Sequence, residues 1–285
     1  IKYIEKVMLM KKLTALTMAC LMFVAVMAGC GKQKTIDYTT AEGLKDAVIV
    51  AEKGSAGETV ATTDDLFAQA QFTAVDTQAK ALMEVSSGTA NAALVDYVMS
   101  IGSIGEGTDY ANLEVVPGIE FNPEEYGIAF RKGSDATAYV NQAIAELKAD
   151  GTLYQIAEKY KLQDLILANE TPELPQPSAE SDWEYIKLKG ELVIGITYFA
   201  PMNYMDDNNE LVGFETEFAK AVCEKLGLTP VFQEISWNSK ETELAAKNID
   251  CIWNGMTIDE DRKENMSISM PYMENKQVLV RKIGA

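Results

Sequence analysis

The stretch IDCIWNGMTIDEDR, residues 249–262, decides the fold class that we predict for this chain. Its run from Cys251 to Trp253 is short and apolar, which is typical of a buried strand. The segment before it, residues 240–247, is predicted to be a helix. Helices that alternate with buried strands are the units of α/β proteins, so we expect similar units elsewhere in the chain.

Strands and helices do alternate outward from this stretch. Predicted strands cover residues 47–51, 92–95, 113–116, 126–130, 192–196, 231–235 and 277–281. Predicted helices cover residues 58–71, 139–147, 153–161 and 215–226, and a tight turn covers residues 54–57. This alternation favours an α/β sheet that binds ligands at the ends of its strands.

The clearest boundary in the chain is rich in proline. Residues 171–181 hold three prolines and show no apolar periodicity. Such a segment is expected to be extended and exposed, because proline cannot continue a helix and pairs poorly in a sheet. It therefore separates two α/β regions.

The N-terminal segment has the order of a secretion signal. A basic start, Met10-Lys11-Lys12, precedes the nearly uncharged apolar run 13–27, and Ala28, Gly29 and Cys30 follow. The run is too short and wrongly flanked for a lasting membrane span. The stretch resembles a bacterial lipoprotein signal, in which the Cys30 thiol is lipidated; a plain secretory signal and a buried apolar helix are the alternatives. Residues 1–9 are interpreted as an over-extended translation start.

Composition excludes several classes of function. A net charge of −18 argues against nucleic acid as a partner, because affinity for nucleic acid rests on Lys and Arg. The chain has no histidine, which removes Ser-His and Cys-His dyads and histidine metal ligands. Beyond the signal only Cys223 and Cys251 remain, as buried thiols or as one bridge. They are too few for a disulfide scaffold and lack the clustered spacing of a zinc site.

Two motifs carry a family resemblance. GFETEFAKAV at residues 213–222 and the stretch at 249–262 look like the two signatures of the polar amino acid family of periplasmic binding proteins, the bacterial extracellular solute-binding proteins of family 3. Residues 126–134 and 151–154 also match that family. The resemblance covers the chain from about residue 45 except the proline-rich linker. It implies a two-lobe α/β fold of type II with the ligand cleft between the lobes.

The order of the two halves departs from the family. Its members usually begin with the half that here comes last, so the resemblance implies a circular permutation, which is tolerated where chain ends are exposed and close together. The implied segments are a signal (1–30), lobe 2, which closes on the ligand (35–122), a hinge strand with helices packing on lobe 1 (123–168), the linker (169–182), lobe 1 (183–275) and a second hinge strand (276–285).

The resemblance assigns a charged residue to each end of an amino acid's head group. Arg262 stands where the family clamps the α-carboxylate, for which a planar guanidinium can donate two parallel bonds. The alternative for Arg262 is a surface pair with Asp259 or Glu260. Asp96 matches the carboxylate that accepts the ammonium group, and the alternative for it is a helix cap.

Seven further residues complete the implied site. Thr257 adds a hydroxyl, and Gly255 lets the backbone approach the head group. Backbone N–H groups of Ser55 and Ala56, at a helix start, are expected to receive the carboxylate from the other lobe. The remaining residues, expected to contact the ligand's stem or side chain, are Phe199, Trp237 and Asn254.

Position 196 limits the choice of ligand. Some relatives carry an aspartate there that contacts a side-chain amide or amine, and this chain has Ile196. The difference argues that this chain does not share the preference of those relatives for lysine, arginine or glutamine.

The function that the resemblance implies is capture of a free polar amino acid for an ABC importer. The protein is expected to be a monomeric lipoprotein without cofactor or metal, on the outer face of the cell membrane, or in the periplasm if an outer membrane is present. Its partner is a membrane permease. The alternatives are a sensor ectodomain and an enzyme on the same fold, similar to dehydratases or lytic transglycosylases, in which Glu215 or Glu241 would have to serve as an acid.

Overall fold

The computed structural model describes residues 35–168, 171–172 and 181–285. The predicted signal with Cys30 and most of the proline-rich linker lie outside the described residues. No helix within the described residues has the length and apolarity to cross a bilayer.

Ten strands form one sheet in the order β2-β1-β3-β12-β5-β10-β6-β9, with β4 on β12 and β11 on β5, and two short strands, β7 and β8, pair separately. Their bounds are β1 Val48–Glu52, β2 Gln71–Val75, β3 Ala92–Asp96, β4 Leu113–Val115, β5 Pro123–Arg131, β6 Glu191–Ile196, β7 Tyr204–Met205, β8 Leu211–Val212, β9 Thr229–Glu234, β10 Cys251–Thr257, β11 Met266–Ile268 and β12 Met273–Lys282.

The helices are α1 Ala56–Thr63, α2 Gln78–Ser87, α3 Tyr97–Ser103, α4 Ala136–Ala149, α5 Thr152–Lys159, α6 Asp182–Lys189, α7 Phe214–Leu226, α8 Lys240–Ala245 and α9 Glu260–Asn265. We call β1 to β4 the N-terminal strand group, and β5, β6 and β9 to β11 the C-terminal strand group. In the first group β1 runs parallel to β2 and β3. In the second, β6 runs parallel to β9 and β10, while β5 is antiparallel to β10.

Strand β12 joins the two groups. Its first residues, up to Lys276, pair antiparallel with β5, and its later residues, from Gln277 onward, pair with β3. The change of partner falls between two adjacent residues. A single strand therefore passes from one strand group to the other within one peptide unit.

The C-terminal strand group is held by an aromatic core. Helix α7 places Phe218 edge-on against Trp253 of β10, with ring centroids 5.0 Å apart. The same ring meets Tyr272 at 5.4 Å. These rings are fully buried, so they fix β10 and the residues at its end relative to α7.

One predicted helix is wrong in its second half. The predicted span 58–71 becomes α1, which ends at Thr63, a short 3₁₀ turn and then β2. The Asp64 side chain accepts a hydrogen bond from the Leu66 N–H at 2.9 Å, which starts the 3₁₀ turn instead of continuing the helix. Residues 71–75 then pair with β1 and form an edge strand.

The two cysteines are free thiols in the structure. Cys223 and Cys251 are both buried and do not pair. Of the two alternatives left open by the sequence, buried thiols are observed. Burial raises the pKa of Cys223 to about 12, so this thiol stays protonated.

Candidate functional site

All nine residues predicted to bind the ligand line one cavity. The lining is Glu52, Ser55, Ala56, Gln78, Asp96, Thr197, Phe199, Trp237, Asn254, Gly255, Thr257 and Arg262. Residues from both strand groups meet there, at the ends of strands β1, β3, β6 and β10.

The guanidinium of Arg262 is buried in this cavity. Asp259 caps α9 by accepting from the Arg262 N–H at 2.8 Å, and its second oxygen lies 3.3 Å from Arg262 Nε. The Nη1 group donates to the Thr257 carbonyl at 2.6 Å, and Nη2 donates to the Gly54 carbonyl at 3.3 Å. Arg262 therefore does pair with Asp259, but it is only 8% exposed and it reaches a carbonyl on the N-terminal strand group.

Asp96 lies at the end of β3 without capping the following helix. Helix α3 receives no side-chain hydrogen bond from it. Its carboxylate instead accepts from the amides of Asn275 and Gln277, each at 2.7 Å, and from Gln78 Nε2. Burial raises the pKa of Asp96, and the bonds from Gln78, Gln277 and Asn275 oppose that rise.

Glu124 shares the amides that hold Asp96. Its Oε2 accepts from Asn275 at 3.0 Å, from Gln277 at 3.1 Å and from the Thr257 hydroxyl at 2.9 Å. Burial raises the pKa of Glu124, and the charge of Asp96 raises it further. Two carboxylates are thus bridged by two amides at the floor of the cavity.

Gly255 occupies a position that a side chain would disturb. Its φ is +55°, in the left-handed region, and an added Cβ would lie 2.8 Å from Phe199 Cζ and 3.3 Å from the Tyr126 ring. Its N–H donates to Glu215 at 2.8 Å and 3.1 Å. Glu215 is fully buried and also accepts from Asn203 at 2.9 Å and from the Tyr272 hydroxyl. Glu215 thus fixes the backbone where β10 reaches the cavity.

Replacing Gly255 by alanine is expected to lower the free energy of unfolding by about 2 kcal/mol and to weaken ligand binding. The left-handed backbone alone costs a Cβ about 1 kcal/mol, and crowding by Phe199 adds to that. Thermal and urea unfolding measure the effect. Gly118→Ala is the matched control, because Gly118 has a φ of +78° but open space around its Cβ position. Equal losses in the two variants would contradict the crowding argument.

Asn254 is engaged by the neighbouring strand. Its Oδ1 accepts from the Thr197 N–H at 2.9 Å and from the Thr197 hydroxyl at 2.6 Å, and its Nδ2 donates to the Thr197 carbonyl at 2.9 Å. An amide nitrogen carries two hydrogens, so one N–H of Asn254 is left for a ligand. Thr197 itself was missed by the sequence analysis.

Ser55 and Ala56 begin α1 at the cavity wall. The Ser55 hydroxyl accepts from the Glu58 N–H at 3.2 Å, and the Ser55 N–H donates to the Glu52 carbonyl at 3.2 Å. Ser55 therefore caps the helix and closes its own turn. The N–H of Ala56, in the first turn, has no acceptor within the helix and is the better placed of the two to meet an anion.

Two aromatic rings complete the wall, and a lysine lies beside one of them. Phe199 and Trp237 are 4% and 5% exposed. Lys240 Nζ lies 4.8 Å from the centroid of the Trp237 ring and donates to the Gly54 carbonyl at 3.1 Å. Burial, together with the nearby Arg262, lowers the pKa of Lys240 to about 8.

Sequence reasoning missed the supporting residues of this site. Glu52, Gln78 and Glu124 come from three different elements, and none belongs to a motif that we recognised. For Glu52 a signal was present, because an acidic residue closes the buried strand VIVAE. A charged side chain at the end of such a strand is rarely buried without a reason.

The arrangement suits a small zwitterion. The Arg262 guanidinium and the Asp96 carboxylate, which shares amide donors with Glu124 behind it, present opposite charges across one cavity, and two aromatic rings offer apolar contact. Charge-assisted hydrogen bonds of this kind are stronger than neutral ones. The alternative acids lie elsewhere: Glu215 is enclosed behind Gly255, and Glu241 lines surface depressions.

Comparison with known proteins relates the C-terminal third of the chain to a family. Residues 192–284 match the model of the bacterial extracellular solute-binding proteins, family 3. The L-cystine-binding protein TcyJ of Escherichia coli is 32% identical over 99 residues, which are 34% of this chain and 37% of that protein. The arginine-binding extracellular protein ArtP of Bacillus subtilis is 33% identical over 95 residues, 33% of this chain and 37% of its own length.

A solved ABC uptake transporter substrate-binding protein from Streptococcus pneumoniae, with bound histidine, is 34% identical. The match covers 31% of this chain and 36% of that one, with a TM-score of 0.30. The chain spans about 37% of the length of the curated relatives named above. These relatives are binding proteins by name. Over residues 192–284 the chain is thus similar to the bacterial extracellular solute-binding proteins of family 3.

Proposed function

We propose that this chain is the substrate-binding protein of an amino acid ABC importer, which captures one free polar amino acid. The observation that carries the proposal is the burial of Arg262 and Asp96 in one cavity, on opposite strand groups, together with the seven other residues expected there. The names of the relatives, which bind cystine, arginine and histidine, support an amino acid as the ligand.

Binding uses the hydrogen bonds described above. The ligand's α-carboxylate takes the place of the Gly54 carbonyl on Arg262 and meets the N–H of Ala56. Its ammonium group donates to Asp96, and the hydroxyl of Thr257 adds a contact. The aliphatic stem lies between Phe199 and Trp237. Because the partners come from both strand groups, the free energy of binding favours the closed arrangement.

The two strand groups correspond to the two lobes in this proposal. Residues 35–122 form lobe 2, residues 183–275 form lobe 1, and β5 and β12 are the hinge strands. The partner change between Lys276 and Gln277 supports a hinge at that point. The reversed order of the halves is a circular permutation, with the linker 169–182 joining the family's usual ends.

The place of action in this proposal is the outer face of the cell membrane, or the periplasm where an outer membrane exists. The family is extracellular by description. The signal of residues 1–30 exports the chain and Cys30 carries the lipid anchor. A monomer then delivers its ligand to a membrane permease.

Thermal shift against the common amino acids, sugars and small anions, followed by calorimetry, tests the function. An amino acid at a hundredfold excess over its Kd should stabilise the protein by about 2.7 kcal/mol and be recovered unchanged. Stabilisation by a sugar or a small anion alone would overturn the proposal. Consumption of the ligand would favour the enzyme alternative instead.

A further inference from the structure

Glu52 carries a buried carboxylate oxygen that has no hydrogen-bond donor among the described residues. It is the last residue of β1, lines the cavity and is only 3% exposed. Its Oε1 has no hydrogen-bond partner among the described residues and no access to water. Leaving a buried acceptor unpaired costs about 1–3 kcal/mol, and more when it is charged. An unpaired group of this kind inside a binding cavity indicates a missing donor.

The charges around Glu52 do not balance it. Asp96 faces it from β3, and Lys240 faces it from α8, but Lys240 donates to the carbonyls of Gly54 and Trp237 and forms no ion pair with Glu52 among the described residues. Asp96 accepts hydrogen bonds from three amides and carries a charge of the same sign as Glu52. The one arginine that lines the cavity, Arg262, already pairs with Asp259.

The head group of an amino acid cannot correct this imbalance. Its carboxylate binds Arg262 and its ammonium binds Asp96. Because these two ligand groups carry opposite charges, the head group adds no net charge to the cavity. An ionised Glu52 then remains an excess negative group, which opposes its ionisation and raises its pKa. A further positive charge on the ligand would supply both the missing donor and the missing counter-charge.

We propose that Glu52 is a specificity-determining residue that accepts a hydrogen bond from a positively charged side chain of the ligand, an ammonium or a guanidinium. This inference rests on the proposed function of the same cavity. Some relatives carry a carboxylate at the position of Ile196, in β6. Here Glu52 supplies a carboxylate from the N-terminal strand group instead. The argument from Ile196 against a cationic ligand concerned only a contact made from position 196. In this proposal Glu52 contacts the ligand's side chain from the other side of the cavity.

The protonation of Glu52 provides a second readout. Burial and the charge of Asp96 raise the pKa of Glu52 to about 8, while Lys240 opposes that rise. A ligand cation favours the ionised carboxylate and so lowers this pKa on binding. Near pH 7 the binding of a cationic amino acid should therefore release a proton, and its affinity should increase between pH 6 and pH 8.5.

Calorimetry with two pairs of ligands tests the inference. Arginine is compared with its neutral isostere citrulline, and lysine with norleucine, at pH 8.5 and in two pH 7 buffers of different ionisation enthalpy. The variants are Glu52→Gln, Glu52→Asp, which keeps the charge, and Glu106→Gln, which removes an exposed carboxylate elsewhere. Thermal unfolding checks that each variant is folded.

The expected result is that arginine or lysine binds the wild type at least about 30-fold more tightly than its neutral partner. Glu52→Gln should abolish this preference and the proton release, Glu52→Asp should restore part of both, and Glu106→Gln should change neither. If neutral amino acids bind as tightly as cationic ones, or if Glu52→Gln leaves the preference intact, the inference is overturned while the proposed function stands. If no amino acid binds, both are overturned.

Discussion

Replacing Arg262 by alanine is expected to lower the affinity for the proposed amino acid ligand about 1,000-fold, or by about 4 kcal/mol. The guanidinium is buried, and its loss leaves the ligand's carboxylate enclosed without a counter-charge. The variant also removes the bond from Nη2 to the Gly54 carbonyl, one of the contacts between the two strand groups. Calorimetry of the wild type and the variant with the best ligand measures the effect.

Two further variants separate this role from a general effect of losing an arginine. Arg262→Lys keeps the charge without the planar fork, so it should recover only part of the affinity. Arg281→Ala removes an arginine that pairs with Glu114 at 2.9 Å and does not line the cavity, so its affinity should stay within about twofold of the wild type. Wild-type affinity in Arg262→Ala would refute the carboxylate clamp.

Replacing Glu215 by glutamine is expected to remove up to about 3 kcal/mol of the pH dependence of stability. Burial raises the pKa of Glu215 to about 7, although bonds from Tyr272, Gly255 and Asn203 oppose the rise. The folded state thus binds a proton that the unfolded state, with a pKa near 4.5, has already lost. The stabilisation is complete below about pH 4.5 and is lost as the pH rises through 7.

Urea unfolding at intervals between pH 4.5 and pH 8.5 measures this dependence. The wild type should lose stability across that range, and Glu215→Gln should lose less, because an amide cannot titrate. Glu52 acts in the same direction in both proteins, so the difference between the two slopes isolates Glu215. Glu224→Gln, on the exposed side of the same helix, is the control and should follow the wild type. Parallel slopes in all three proteins would contradict the prediction.

The sequence predicted four strands well because their apolar runs are short and bounded by turns. Strands β1, β3, β6 and β9 lie within one or two residues of their predicted bounds. The edge strand β2 was missed because its residues are mostly exposed, so no apolar run marks it. Tertiary pairing with β1 decides its conformation, and pairing of that kind is not encoded in a local pattern.

The candidate site could be predicted only as far as its motifs reach. The residues at 249–262 stand close together in the chain, and the structure places four of them at the cavity. Asn275 and Gln277 bond to Asp96 across about 180 residues of sequence, and such contacts depend on topology rather than on spacing. Glu52 was visible as an acidic end to a buried strand, but its lack of a partner is a property of the packed structure.

Strand β12 links the arrangement of the two strand groups to the carboxylates beside the ligand. The partner change lies between Lys276 and Gln277, and Asn275 and Gln277, on either side of it, hold the two carboxylates at the cavity floor. The angle between the two strand groups and the ionisation of these two carboxylates, Asp96 and Glu124, therefore cannot vary independently. A substitution at Asn275 is expected to shift the balance between open and closed arrangements of the strand groups even in the absence of ligand.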